Sequence, residues 1–214
     1  MTISRRQFVA GGAAIAVAGA AAPALAQQEQ TAAYFQGDVP DNGQYYRKTN
    51  FSKIDPVWRR QLVKYYSEEP QGTVVVDTRN HFMYIIFENK TALRYGVGVG
   101  KEGFQWFGRA QVDRKQIWPS WVPPPEMLKR RPDLPTFVAG GPDNPLGPRA
   151  LYLYRDGRDL GYRLHGTTEP WSIGGDVSSG CIRMFPEDVV DLYQRCPKGT
   201  KVLVLKHLGS GDAT

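Results

Sequence analysis

Residues 164–184 read LHGTTEPWSIGGDVSSGCIRM, with a His-Gly pair, His165 and Gly166, followed by the run Ser178-Ser179-Gly180-Cys181-Ile182-Arg183. The spacing suits a Cys–His pair brought together by the fold, not two residues on one helix. A thiol is a weak nucleophile until it loses its proton, and a nearby imidazole can take that proton. Gly180 leaves the backbone at Cys181 uncrowded. A carbonyl can then approach the sulfur, and backbone N–H groups near Gly180 and Cys181 can hold a developing oxyanion. Arg183 adds a fixed positive charge that favours a thiolate or holds a substrate carboxylate.

The bland reading of a lone cysteine is an inert buried residue, and of a lone histidine a hydrogen-bonded part of the scaffold. The ordered composite of His-Gly and then Ser-x-Gly-Cys-x-Arg favours the nucleophile. Two cysteines and three scattered histidines contain no short-spaced ligand pair, so the pattern implies neither a metal nor a cofactor. Cys196 is read as a small buried residue at a helix end. A Cys181–Cys196 disulfide, which would block the nucleophile, is the minority alternative.

On these residues the chain resembles the YkuD-type L,D-transpeptidases, in the ErfK/YbiS/YcfS/YnhG branch. Many members carry a histidine directly before the Gly-Cys pair. This chain has Ser179 there, which leaves His165 as the motif's only histidine. The pattern Trp-Pro-x-Trp-x-Pro-Pro-x-x-Met from Trp118 to Met127 resembles the same branch, as does GGPDNPLG at residues 140–147. The resemblance implies a mainly β, sandwich-like YkuD catalytic domain with a few short helices, over residues 73–207. It also implies that Cys181 attacks, that His165 serves as its base and that the carbonyl of Gly166 orients the imidazole. The implied acyl donor is a peptidoglycan stem tetrapeptide, attacked at the L-centre of meso-diaminopimelate with release of D-alanine. The implied acceptor is an amine of a second stem, giving a 3→3 crosslink, or an amine of an outer-membrane protein. Two other classes stay open: a carboxypeptidase or cysteine peptidase acting on wall peptides, and a wall-binding module without catalysis.

The net charge of +6 suits anionic partners such as an acidic wall polymer. The basic residues are scattered apart from Lys129-Arg130-Arg131, and no nucleic-acid motif is present. Residues 1–26 read as a Tat signal: Ser4-Arg5-Arg6-Gln7-Phe8, a weakly apolar Ala/Gly run, and a small-residue cleavage site at Ala24-Leu25-Ala26. The expectation is export to the periplasm with no permanent membrane span after cleavage. A retained anchor is the alternative.

Residues 27–50 are polar and read as a linker or arm. Residues 51–72 read as an N-terminal helix, with Asp55 as its cap, Pro56 at its first position and Pro70 at its end. From Thr73 an antiparallel meander is expected at 73–77, 81–87 and 91–99, with strands at 109–117, 151–154, 162–165 and 201–205. Asp156-Gly157 signals a hairpin. Short helices are expected at 126–130 and 186–196, and a flexible tail at 208–214. Gly98-x-Gly100-x-x-Gly103 matches a dinucleotide fingerprint, but no helix start follows it. Its glycines are therefore read as letting the chain turn beside a groove. Trp171 is a candidate wall of that groove, with core packing as its bland alternative. His81 and His207 are read as non-catalytic.

Overall fold

The computed structural model describes residues 30–205 apart from 103 and 105. The expected signal segment, the tail and His207 lie outside the described residues. The order of elements from Phe35 is β1 (Phe35–Asp41), β2 (Gln44–Thr49), β3 (Gln61–Lys64), β4 (Val74–Asp77), β5 (Phe82–Ile86), β6 (Thr91–Gly96), β7 (Val99–Gly100), β8 (Gly108–Ile117), α1 (Pro125–Arg130), β9 (Arg149–Arg155), β10 (Arg158–His165), β11 (Asp176–Ser178), β12 (Ile182–Arg183), α2 (Pro186–Arg195) and β13 (Lys201–Val204). Nine of these strands form one sheet in the order β12-β10-β9-β8-β13-β4-β5-β6-β3, with β1-β2 and β11-β7 as separate pairs.

The alternation of side chains along each strand assigns two layers to this sheet. Val74 and Val76 face the main core with Met83, Tyr95, Val112, Leu151, Leu153, Leu164, Val202 and Val204, while Val75 faces a second cluster with Ile86 and Ala92. Val189, Leu192 and Cys196 of α2 close the main core. One face of the sheet thus covers the main core and the other a smaller apolar cluster, in keeping with the expected sandwich-like fold. Helix α2 begins with Pro186 at its first position, has Glu187 and Asp188 in its first turn and ends with Arg195, in keeping with its dipole. Among the described residues no helix is long and apolar enough to cross a membrane.

Two segments differ from their sequence reading. The polar arm at 27–50 contains a hairpin, β1-β2, turned at Asn42-Gly43 with φ of 47° and 77°. Its anchors are buried or half-buried. Arg149 holds the Asp41 carboxylate at 2.6 and 2.7 Å, Trp118 Nε1–H donates to the Asp41 carbonyl at 2.9 Å, and Thr49 donates its N–H and hydroxyl to Glu187 at 2.6 and 2.9 Å. The Arg149 guanidinium holds the Asp41 carboxyl below its usual value.

The helix expected over 51–72 is absent. Asp55 does cap Pro56, accepting the Val57 N–H at 2.9 Å, but the turn it starts is a single 3₁₀ turn, Pro56–Trp58. The chain then extends as edge strand β3, antiparallel to β6. Tertiary partners override the helical spacing of the aromatic residues. Tyr65 stacks on Tyr84 with centroids 4.3 Å apart, and Trp58 packs on Phe82 at 5.2 Å, while Leu62 and Tyr66 stay exposed.

Candidate active site

The register of four neighbouring strands builds the site. Tyr152 of β9 is the cross-strand partner of both Arg114 on β8 and Arg163 on β10. Ala150, two residues earlier, is likewise the partner of Gln116 and His165, and His165 is in turn the parallel partner of Arg183 on β12. The parallel pair Leu164–Ile182 places Cys181 beside Arg163, one position before the strand. Two rows therefore run across one face: Arg114, Tyr152, Arg163 and Cys181, and then Gln116, Ala150, His165 and Arg183. Leu151, Leu164 and Ile182 point the other way, into the core. This in-phase register puts Cys181 and His165 diagonally next to each other on the same face.

His165 is 5% exposed. Its Nδ1 lies 2.6 Å from the Gly166 carbonyl, which can only accept, so Nδ1 carries the proton and Nε2 keeps a free lone pair. This is the role the resemblance implied for Gly166. Burial, helped by the Arg183 charge, pushes the imidazole down to about 3. Burial also pushes the Cys181 thiol up, against the opposing pull of the Arg163 N–H and the charges of Arg163 and Arg183. Both shifts favour a neutral thiol beside a neutral imidazole over an ion pair.

Two consequences of this protonation state can be measured. The rate of Cys181 acylation should stay level with pH between the depressed His165 value and the raised Cys181 value, because the neutral pair that reacts is the resting form across that range. It should show no acidic limb near the usual imidazole value of about 6.5. An acidic limb there would instead show an imidazole of ordinary basicity acting as the base. The imidazole is depressed on folding, so its contribution to stability is complete above about pH 6.5 and is lost as pH falls from there toward 3.

Ser178 shapes the nucleophile loop. Its hydroxyl donates to the Cys181 carbonyl at 2.6 Å and accepts the Gly180 N–H at 3.1 Å. Gly180, with φ of +110°, lies where a Cβ would stand 2.4 Å from the Tyr162 ring and 2.8 Å from the Phe104 carbonyl. Gly100 packs on its other side, where an added Cβ would stand 2.9 Å from the Gly180 Cα. Gly100 of the fingerprint-like run thus serves a close backbone approach to the Cys181 loop, while Gly98 closes on the Ser172 carbonyl.

The remaining expected residues fall as follows. Ser179 is exposed in the same loop. The Gly180 N–H, expected to face an oxyanion, is directed to Ser178. Arg183 ion-pairs with Glu169 at 2.6 Å, so its charge reaches the site while its fork is engaged elsewhere. Trp171 packs on Tyr34 and Phe35, with centroids 5.5 and 6.4 Å away, instead of walling the cavity at Cys181. Burial raises Cys196, 1% exposed in the core, to about 12, and both cysteines are free thiols. His81 Nε2 lies 3.2 Å from Asp176. Sequence reading missed Arg114, Tyr152 and Arg163, because only the strand register reveals them, and Ser178, whose hydroxyl role needs the loop geometry.

Cys181 opens onto a cavity of about 380 Å³, whose lining includes Arg114, Gln116, Tyr152 and Arg163 from the sheet and Trp121, Val122, Pro124 and Leu146 from the connection between β8 and β9. The Trp-Pro-x-Trp-x-Pro-Pro segment therefore contributes to the lining of this cavity.

A protein-family model for the YkuD L,D-transpeptidase catalytic domain matches residues 71–204. This chain belongs to the YkuD family. It is 36% identical over 143 residues to ErfK/SrfK of Escherichia coli, covering 63% of this chain and 44% of that protein. It is 33% identical over 159 residues to YqjB of Bacillus subtilis, covering 72% and 81%. Both relatives are named as L,D-transpeptidases. YbiS and YcfS of Escherichia coli also match. The chain spans about half the length of most of these relatives. A solved structure, the Ldtfm–avibactam carbamoyl enzyme, shares the fold at 20% identity with a TM-score of 0.50, over 65% of this chain and 51% of that one.

Proposed function

We propose that the chain is an exported L,D-transpeptidase of peptidoglycan, with Cys181 as nucleophile and His165 as general base and acid. The observation that carries this reading is the placement of Cys181 and His165 on one sheet face, with His165 held as a neutral base and Cys181 open to a cavity. Nε2 of His165 takes the thiol proton as the sulfur attacks the carbonyl at the L-centre of diaminopimelate in a stem tetrapeptide. With the Gly180 N–H engaged, the Cys181 N–H is the donor for the developing oxyanion. An oxyanion donor of this kind is worth about 3–4 kcal/mol. The C–N bond to D-alanine then breaks, and His165 returns the proton to the departing amine. An acceptor amine attacks the thioester, gives its proton to His165 and releases the sulfur. The acceptor is a second stem, giving a 3→3 link, or a protein amine of the outer membrane.

The Tat-type run at Ser4-Arg5-Arg6-Gln7-Phe8 and the cleavage site at Ala24-Leu25-Ala26 support periplasmic export. Incubation of the protein from Gln27 with disaccharide-tetrapeptide should release D-alanine and yield a crosslinked dimer. Release of D-alanine without a dimer would assign the acceptor role to water or to another amine. If the tetrapeptide stays intact, with no acyl-enzyme, the wall-binding reading stands in place of this one.

A further inference from the structure

Arg114 lies on the catalytic face yet belongs to neither the acid–base pair nor the nucleophile loop. Its guanidinium carbon sits 4.6 Å from the centroid of the Tyr152 ring, and Arg163 takes the same distance from that ring. The two cations therefore flank one phenol on the wall of the cavity that Cys181 enters. Their surroundings differ. Arg163 is paired with Asp159 at 3.1 Å, whereas among the described residues no carboxylate makes an ion pair with Arg114. Gln116 accepts the Tyr152 hydroxyl, which holds the ring between the two guanidiniums. A cation with five donors, stacked on a ring and facing a cavity without a counter-charge, matches a ligand carboxylate.

Resting on the acyl-transfer reading above, we infer that Arg114 recognises a free carboxylate of the acyl-donor peptide and selects against donors in which it is amidated. Strands lie about 4.8 Å apart, so β8 is about 14 Å from β12, and folding over Tyr152 brings the guanidinium to about 10 Å. An extended peptide advances about 3.5 Å per residue, which places the carboxylate two to three residues' length from the scissile carbonyl. The carboxylate of the departing D-alanine is too close. Two groups have the right reach: the second carboxylate of diaminopimelate and the free carboxylate of the preceding glutamate. Both present the same chemistry to Arg114.

The test crosses two proteins with three donors: wild type and Arg114→Gln, against the free tetrapeptide, the peptide amidated at diaminopimelate, and the peptide amidated at glutamate. D-alanine release gives kcat/KM. Arg114→Gln should lose about 10- to 100-fold on the free donor, mostly through KM, the range of a charge-assisted pair. Amidating the recognised carboxylate should cost wild type the same factor and cost the variant nothing, and the donor that shows this identifies the carboxylate. Arg114→Lys, which keeps the charge without the fork, should fall between the two. Arg163 is less suited to substitution, because its backbone and its charge both act on Cys181. An equal loss by Arg114→Gln on all three donors would make Arg114 merely structural and overturn the inference, as would wild type indifferent to both amidations. A wild-type protein that released no D-alanine from any donor would overturn the acyl-transfer reading and the inference with it.

Discussion

Cys181→Ala should abolish acyl-enzyme formation and reduce acyl transfer by about 10⁴-fold or more, while the protein still unfolds near its wild-type midpoint. The activity loss follows from the chemistry: without the sulfur there is no covalent intermediate, and the oxyanion donor and cavity contacts alone supply only a residual rate. The stability expectation follows from the location. Cys181 is partly exposed at the end of the nucleophile loop, and the loop is held by Ser178 and Gly180, not by the thiol. His165→Ala should cost activity on a similar scale, because the two residues act as a unit and their losses should not add. It should also cost about 1–3 kcal/mol of stability, since it leaves the buried Gly166 carbonyl without the Nδ1–H partner. Full turnover in either variant would remove that residue from the mechanism.

Gly180→Ala should reduce kcat/KM by about 100-fold even though every reacting group remains. At φ of +110° an L-residue is strained, and its Cβ would stand 2.4 Å from the Tyr162 ring. Tyr162 cannot easily yield, because Trp106 stacks on it with centroids 4.9 Å apart and planes within 19°. The other near atom is the Phe104 carbonyl, which is backbone. The loop itself must move and take Cys181 off its line to His165, and a displacement of about 1 Å is enough for a loss of this size. Kinetics and thermal unfolding together test this. Unchanged kcat/KM would show that the loop absorbs the methyl group without moving the sulfur.

The residues proposed as catalytic stand out in the sequence because their chemistry is local: His-Gly supplies an oriented imidazole, and Ser-x-Gly-Cys supplies a tight loop with a thiol. Much of the β architecture was legible too. Asp156-Gly157 turns the β9-β10 hairpin with φ of 50° and 74°, as the dipeptide predicts. The misread segments carried signals that local rules weigh wrongly. Asn42-Gly43 is the same kind of hairpin turn, but its flanking strands are polar and anchored by Asp41 and Thr49, so their composition resembles a linker. Asp55-Pro56 starts a 3₁₀ turn as readily as an α-helix, and the stacking of Tyr65 on Tyr84 decides for a strand. The arginine-flanked tyrosine was invisible for a different reason. Arg114, Tyr152 and Arg163 meet only once three strands are placed in register, and no local pattern encodes that.

The most direct test of the account is to map the acyl group. The protein is incubated with the tetrapeptide donor, quenched in acid and digested, and the peptides are sequenced by mass spectrometry. The account predicts a thioester on Cys181 whose acyl group has lost D-alanine, and no adduct on Cys196, which lies buried in the core with its thiol pushed up to about 12. Release of D-alanine with Cys181 unmodified at every time point, or an adduct on Cys196, would contradict it.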